Sequence, residues 1–443
     1  MSLKLKSLAL ISVLISVLIS GAALASEVRV GTLGRSAGLD DESFVFAFPS
    51  AVNRYSLVLA EIGTSANNEG YAAVMTSASG HSFGVALSRE KSLFNHRNTV
   101  GRTTDVPDDL TSYVSKYSMT TKYLSNTIGY GPKRPLDLFY GINIAENTGF
   151  GVRLTMAGNI NEAKYEDTVQ RSASQTDIHF GYHMPLAGGL FETALKLGVV
   201  GTVESTVQNA TGGKTSVNFN RGVETRFLAR YMSQGEAKTL PFVKIGFDLS
   251  SPTIKQVNNG QSQSKKAQEL SFDLQGGVNA KPTELVLITG GLGYFYFKSE
   301  GPYSLKAASA SVLEAALQDA TEDVLLNLGG PVSTRMGQGF VTQLGTEAKL
   351  GDRWGLLMGL DYVLWGRLNT KDNYSPSKPS YVSNLTETPD ANLWSFGTFY
   401  EIPKEFRLDA SVSLKNFVHN GIFMVSGSPT ANLIPQFAAT YKF

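Results

Sequence analysis

The 443-residue sequence contains no cysteine, and this absence removes several kinds of chemistry. Disulfides, thiolate metal sites, a cysteine nucleophile and a lipidated cysteine are all excluded. The sequence also lacks an excess of one charge, since 39 Lys and Arg face 38 Asp and Glu. A nucleic-acid surface normally needs positive charge, so nucleic acid is not expected as a partner. Beyond residue 25, no window approaches the ~18 continuous apolar residues of a membrane-spanning helix.

The N-terminus carries the first specific pattern. Lys4 and Lys6 precede an almost unbroken apolar stretch at 8–24, and Ala23-Leu24-Ala25 supplies small residues for a signal peptidase. The pattern predicts a cleaved signal peptide at 1–25 and a mature chain that begins at Ser26. The alternative is an uncleaved anchor, but the apolar stretch is short for one. The protein is therefore expected in the periplasm, the outer membrane or the medium of a Gram-negative bacterium.

The rest of the chain has the composition and periodicity of strands. It holds 44 Gly and 10% aromatic residues, and only 17% of its residues are charged. Apolar and polar side chains alternate over segments of about ten residues, as expected where the two faces of a strand meet different surroundings. The alternating segments include 136–144, 150–156, 178–182, 223–231, 243–249, 270–278, 340–350, 356–364, 394–402 and 406–414. About 16 strands are predicted.

Short turns and long polar segments separate these strands. The turns lie near 146–148, 185–188, 280–282, 351–353 and 403–404, and the long segments cover 91–135, 159–175, 252–266, 299–338, 369–390 and 416–430. Outer-membrane barrels have short periplasmic turns and long extracellular loops. This arrangement predicts an even number of strands, with both mature termini in the periplasm.

The last residues resemble the C-terminal signal of outer-membrane β-barrel proteins. The matching positions are Gln436, Ala438, Tyr441 and the terminal Phe443, with Ala438 where the family prefers glycine. The resemblance implies an all-β, transmembrane, antiparallel up-and-down β-barrel of about 14 to 16 strands in the outer membrane. It also implies contact with the barrel-assembly machinery, outer-membrane lipid and lipopolysaccharide. A soluble β-sandwich is the alternative fold.

Charged residues of both signs occupy the positions that alternate with the apolar stripes. In a barrel these residues face the lumen rather than lipid. The predicted lumen-lining residues are Arg153, His179, His183, Glu192, Lys196, Glu224, Arg226, Arg230, Lys244, Asp248, Glu347, Asp361, Arg407 and Asp409. Such a lining indicates a wet channel for small solutes, because ~16 strands enclose more space than side chains fill. The alternative is a lumen filled by interlocking ion pairs.

Residues 26–55 resemble the start of the FadL-type family of outer-membrane transporters for hydrophobic compounds. The resemblance lies in Leu33-Gly34-Arg35, in Leu39-Asp40-Asp41 and in Phe48-Pro49-Ser50, which stands where the family has Asn-Pro-Ala. It implies a hatch inside a barrel formed by residues 56–443, and that family's barrels have 14 strands. The alternative is an extra strand or a periplasmic lead-in.

One long loop has helical spacing. Leu313, Leu317 and Val324 share one face, with acidic and amide residues elsewhere around the turn. We expect a loop helix whose apolar face forms a constriction or a groove for apolar ligands, unless it only packs on neighbouring loops.

The histidines give little support to an enzyme. His179 and His183 lie four residues apart on one predicted strand, about 13 Å by strand rise, which is too far to share one metal ion. Asp177 could orient His179, but a polar lumen row also explains the three residues. A passive channel without cofactor is therefore predicted, with small-molecule solutes as its cargo. A structural or adhesive surface barrel and, less favoured, an outer-membrane hydrolase are the alternatives.

Overall fold

The structure is a computed structural model of the whole chain. It describes residues 27–34, 36–63, 71–87, 133–164, 168–208, 214–258, 261–302, 332–371, 385–387, 392–402, 406–415, 418–419, 422–423 and 433–443. The predicted signal peptide and the predicted loop helix with Leu313, Leu317 and Val324 lie outside these residues. Within the described part of the chain, no helix is both long and apolar enough to cross a membrane.

Among the described residues, three short helical segments precede the strands. They are α1 (Glu27–Thr32) and the 3₁₀ helices η1 (Glu42–Phe46) and η2 (Pro49–Arg54). Asp41 begins η1, where its side chain accepts a hydrogen bond from the Ser43 backbone N–H. Pro49 begins η2, a position at which its fixed φ and missing N–H are tolerated.

In the described part of the chain, twenty strand segments follow. They are β1 (Leu57–Gly63), β2 (Tyr71–Ala78), β3 (His81–Leu87), β4 (Lys133–Ala145), β5 (Thr148–Lys164), β6 (Thr168–Leu186), β7 (Gly189–Gln208), β8 (Lys214–Ser233), β9 (Thr239–Asn258), β10 (Gln261–Lys266), β11 (Gln268–Thr283), β12 (Val286–Pro302), β13 (Val332–Lys349), β14 (Trp354–Lys371), β15 (Leu385–Glu387), β16 (Asn392–Ile402), β17 (Phe406–Lys415), β18 (Val418–His419), β19 (Ile422–Phe423) and β20 (Leu433–Lys442).

The strands close into one antiparallel barrel. Each strand pairs with the next in sequence, and β1 pairs with β20 from Leu57↔Lys442 to Gly63↔Gln436. Segments β10 and β11 both pair with β9, and β15 and β16 both pair with β14, so each couple is one interrupted strand. Segments β18 and β19 form a separate small hairpin. The barrel has 16 strands, which confirms the predicted fold and exceeds the 14 that the FadL resemblance implies.

The two faces of the barrel wall differ as the alternation predicts. On β4, Leu138 and Tyr140 point outward and are 38% and 40% exposed, whereas the neighbouring Asp137 and Phe139 point inward and are 3% and 4% exposed. Outward side chains of other strands are likewise large and apolar, among them Phe83, Val85, Ile245, Phe247, Leu344, Leu356, Met358 and Phe396. An apolar belt around a polar interior is the arrangement of a barrel that sits in a lipid bilayer.

Several strands are longer than the sequence pattern predicts. Segments β5 to β9 have 17 to 20 residues each, so most of the predicted loops at 159–175 and 252–266 is strand. The turn expected at 280–282 lies instead between Thr283 and Val286. The long strands extend past the apolar belt, where outward positions such as Gln170, Ser172 and Ser174 are polar and exposed. Apolar alternation is not needed there, so the periodicity gave no signal.

Candidate functional site: an N-terminal hatch inside the barrel

The N-terminal segment 27–56, called the hatch below, lies inside the barrel and follows its inner wall. Helix α1 packs on β14, β16, β17 and β20, and η2 packs on β4, β5 and β6 on another part of the wall. Between them the hatch bonds to β12 through Ser36, to β11 through Gly38 and to β8 through Ala37 and Leu39. The chain therefore spans the lumen before it enters β1.

The middle of the hatch forms a small apolar core with the wall. Phe44 and Phe48 are fully buried, and they cluster with Leu228, Leu357 and Phe399 from three different strands. Burying a side chain of this size contributes about 1.5–3 kcal/mol relative to leaving it in water. The hatch is thus held partly by the hydrophobic effect.

A row of three glycines on the wall receives η2. Gly141, Gly151 and Gly181 are in register on β4, β5 and β6. A Cβ added at Gly151 would lie 2.6 Å from Ser50 Cα, and one at Gly181 would lie 2.6 Å from Ser50 N. No real Cβ fits at such distances, so the wall approaches the hatch backbone this closely only because the row lacks side chains. We call these three residues the glycine saddle.

A second close approach lies where α1 ends. Gly34 has a φ of +69°, a left-handed conformation that glycine adopts without strain. A Cβ on Gly34 would be 2.7 Å from Leu360 O. On the wall, Gly345 and Gly359 face the same turn, and a Cβ at Gly345 would be 2.8 Å from Leu33 Cα. Backbone-to-backbone contact therefore fixes both ends of the hatch.

The first ionic cluster ties the hatch to β7 and β8. The guanidinium of Arg230 donates to Glu192 and to the backbone carbonyls of Ala37 and Leu39, the last two at 3.1 Å each. Glu192 also accepts a 2.7 Å bond from Arg54 of the hatch, and Arg54 reaches Asp40 at 2.7 Å. The Arg54 guanidinium holds the pKa of Asp40 below its usual value, against the effect of burial.

The second ionic cluster ties the hatch to β13 and β17. Arg29 of α1 donates to Glu347 at 2.8 Å and to Asp41 at 3.1 Å, and Arg407 donates to Glu347 at 3.0 Å and to Asp409 at 2.8 Å. Burial raises the pKa of Asp41 to about 6, the neighbouring Glu42 charge adds to the rise, and Arg29 offsets it only in part. Asp40 belongs to the first cluster and Asp41 to the second, and these two residues are the acidic pair on which the FadL resemblance partly rests.

Several predicted lumen residues meet the hatch. Arg153 donates to the carbonyl of Phe46 and lies 2.9 Å from His179 Nε2, and His183 is buried on β6. Other predicted lumen residues lie in the two ionic clusters described above, namely Glu192, Arg230, Glu347, Arg407 and Asp409. The predicted lining therefore supplies many of the wall residues around the hatch.

The other predicted lumen residues pair along the wall. Lys196 donates to Glu224 at 2.6 Å, and Lys244 lies 3.2 Å from Asp273. Arg226 and Asp248 are register partners on β8 and β9, and Asp361 is 2% exposed on β14. This part of the lumen carries charges of both signs on polar walls.

The sequence analysis missed the hatch residues that bond to the wall. Asn53 donates to the carbonyl of Phe150 at 3.0 Å, and Asn279 of β11 donates to Gly38 O. It also missed the glycine saddle, although glycines on inward positions of neighbouring strands were visible in the sequence. Their meaning depends on strand register, which the sequence alone does not supply.

At the C-terminus, the four predicted signal residues divide between the faces of β20. Gln436 and Ala438 point inward, where Ala438 packs on Val28 of α1, and Tyr441 and Phe443 are exposed outside. Their role in assembly stays a prediction.

Comparisons with known proteins give structural matches alone. No protein-family model matches the sequence, and no curated protein matches it either. The Pseudomonas putida toluene transporter TodX is 9% identical with a TM-score of 0.35, covering 94% of this chain and 96% of its own. The Ralstonia pickettii toluene transporter TbuX is 11% identical with a TM-score of 0.36, covering 96% and 100%. The transport unit of the Escherichia coli autotransporter AIDA-I is 11% identical with a TM-score of 0.33, covering 73% and 96%. Identities and scores this low assign no function to the chain.

Proposed function

We propose that the protein is an outer-membrane channel for small hydrophobic compounds, closed at rest by its N-terminal hatch. The observation that carries this proposal is a chain segment that crosses the lumen and is held by many separate noncovalent contacts. The chain has no cysteine, so no disulfide fixes the hatch in place. Each contact is of a kind that forms and breaks without altering the barrel.

Two features favour this function over an open porin. The hatch occupies the space through which ions would flow, and its central contacts are apolar, with Phe44 and Phe48 against wall residues. Farther along the lumen, Phe295 and Phe297 of β12 also face inward and are each 1% exposed. A pathway with apolar side chains suits a hydrophobic solute better than a hydrated ion.

The proposal includes export and orientation. A signal peptide at 1–25 is removed, the end of the barrel with the short turns faces the periplasm, and the opposite end faces lipopolysaccharide. The barrel-assembly machinery inserts the chain, with the last strand as its signal. A structural barrel without transport is the competing function, and it differs in having a lumen that stays closed without the hatch.

Deletion of residues 27–54 tests the proposal. The intact protein in a planar bilayer should show only rare, small currents, and the deletion variant should show large and steady ones. The physical reason is that the hatch, not the wall side chains, fills the cross-section of a 16-strand barrel. Heat-modifiable migration on gels checks that the variant still folds.

A second variant tests whether the contacts of the hatch with the wall, rather than the mere presence of a chain of that length, keep the pore closed. Replacing 27–54 with a Gly-Ser linker of equal length keeps the chain but removes every wall contact, and it should also conduct. If both variants stay closed, the wall side chains block the lumen and the structural barrel is the better description. If the intact protein conducts freely, the protein is a porin.

Solute preference is measured in the same preparation. Liposomes containing the intact protein should admit the apolar fluorescent probe N-phenylnaphthylamine faster than protein-free liposomes and should exclude arabinose. Equal entry of arabinose would contradict selectivity for hydrophobic compounds.

A further inference from the structure

The hatch does not seal equally against all parts of the wall. Around the glycine saddle and around Gly345 and Gly359, backbone lies directly on backbone with no space for a side chain. Near Arg230 the hatch carbonyls accept buried hydrogen bonds from the wall. Opening at any of these places requires the loss of buried contacts.

The contact of hatch residues 40–42 with the ends of β16, β17 and β20 is different. A cavity of about 220 Å³ lies between hatch residues 40–42 and wall residues that include Glu401, Arg407 and Lys442. Lys442 of β20 pairs with Glu42 of the hatch at its border, and Arg29 pairs with Asp41 beside it within the hatch.

The outermost of these ion pairs is also the most exposed. The Lys442 side chain is 49% exposed and pairs with Glu42 at the end of β20, next to Phe443, whose backbone N–H bonds to Ser56 O. Ion pairs that water reaches contribute little, typically below ~1 kcal/mol. The contact that closes this side therefore has a much lower energetic barrier to opening than the saddle.

We propose that solute passes the hatch along this seam, between residues 40–42 and the ends of β16, β17 and β20, while η2 stays seated on the glycine saddle. The inference rests on the proposed hatch-gated channel and adds where the path runs. Opening then moves the acidic segment 40–42 away from Arg407 and Lys442, and the rest of the hatch acts as its anchor.

The chain has no native cysteine, which makes paired cysteines a clean test. In one variant, Glu42→Cys and Lys442→Cys are joined across the seam by a short bifunctional methanethiosulfonate. In the matched variant, Asn53→Cys and Asn143→Cys are joined at the saddle side, where both side chains lie close to Gly149. The seam link should block N-phenylnaphthylamine passage until dithiothreitol cleaves it, and the saddle link should leave passage at the rate of the same double-cysteine variant before linking.

A charge variant tests the seam without cross-linking. Lys442→Gln removes the pair with Glu42 and should raise the passage rate roughly two- to fivefold, as expected for an exposed ion pair. Lys298→Gln removes an exposed pair with Glu300 elsewhere on the barrel, at 2.6 Å, and should change nothing.

The outcomes separate the two proposals. Deletion of 27–54 could open the pore while the saddle link blocks passage as strongly as the seam link. The hatch would then move as a whole, and the proposed path along the seam would be wrong. Free passage with the seam linked overturns it as well. If the deletion variant stays closed, the hatch-gated channel itself fails.

Discussion

At the scale of single residues, Arg230 shows how the wall and the hatch depend on each other. Its side chain is fully buried, and its charge is balanced by Glu192, which is also fully buried. The remaining donors go to the Ala37 and Leu39 carbonyls, and the guanidinium lies 3.8 Å from the centre of the Phe44 ring. A buried cation is stable only when its donors are satisfied. The docked hatch supplies acceptors that β8 alone does not.

Arg230→Met should therefore release the hatch without unfolding the barrel. The change removes two hydrogen bonds from a charged group to the hatch carbonyls, each worth about 1.5 kcal/mol or more, and their loss corresponds to roughly a hundredfold in the closed-to-open ratio. Single-channel recording should show a large rise in open probability, with heat-modifiable migration retained. The double variant Glu192→Gln with Arg230→Met neutralises the Glu192 carboxylate, whose remaining partner is Arg54 of the hatch, but restores no bond to the Ala37 and Leu39 carbonyls, so it should leak too. A closed double variant would mean that the unpaired charge, not the lost hatch bonds, opens the pore.

At the scale of elements, the glycine saddle turns three strands into a docking surface. Glycine weakens a strand because it loses more conformational freedom and has no side chain to pack. Gly141, Gly151 and Gly181 nevertheless occupy matching positions on β4, β5 and β6. The cost is offset by the close approach of η2, whose residues Pro49 to Val52 are buried against the saddle.

Gly151→Val should unseat η2 while leaving β5 intact. The new Cβ would overlap the Ser50 backbone, which has no flexible side chain to move aside, whereas valine itself favours strands. Gly158→Val on the same strand is the matched control, since its Cβ meets nothing nearer than Ala173 O at 3.7 Å. Gly151→Val should conduct in a planar bilayer and Gly158→Val should stay closed. Equal conductance of the two variants would show that the saddle does not hold the hatch.

At the scale of the whole molecule, the barrel wall can be predicted from the sequence more fully than the contacts between the wall and the hatch. The alternation on β4, such as Leu138 beside Asp137, reflects lipid on one face of the strand and the polar lumen on the other. Such alternation therefore predicts which face each strand turns outward and how many strands there are. The long ends of β5 to β9 are polar on the outward face and give no such signal. The saddle was hidden because glycine at an inward position is equally consistent with a bulge or a ligand contact. The three glycines come together only through the register of β4 with β5 and of β5 with β6.

Closure of the barrel depends on one of its short strands. Segment β1 has seven residues and joins β20 through the pairs from Leu57↔Lys442 to Gly63↔Gln436, whereas β7 and β8 have 20 residues each. The Phe443 backbone N–H extends this short join with a 3.2 Å bond to Ser56 O. The Phe443 ring is 61% exposed on the outer face, 6.3 Å from the Tyr441 ring, where an aromatic side chain anchors a barrel at the membrane interface.

Deleting Phe443 should therefore reduce assembly of the whole barrel rather than alter the pore. It removes one hydrogen bond from the short β1–β20 join. It also removes an interfacial aromatic side chain at the end of the strand that closes the barrel. Folded, heat-modifiable protein in the outer-membrane fraction should fall, and periplasmic degradation products should rise. Phe83→Ala removes an aromatic ring of similar exposure, 51%, from β3, away from the β1–β20 join, and should assemble at nearly the normal yield. If the two variants lose folded protein equally, the loss reflects a missing lipid-facing ring, and the terminal position has no special part in closure.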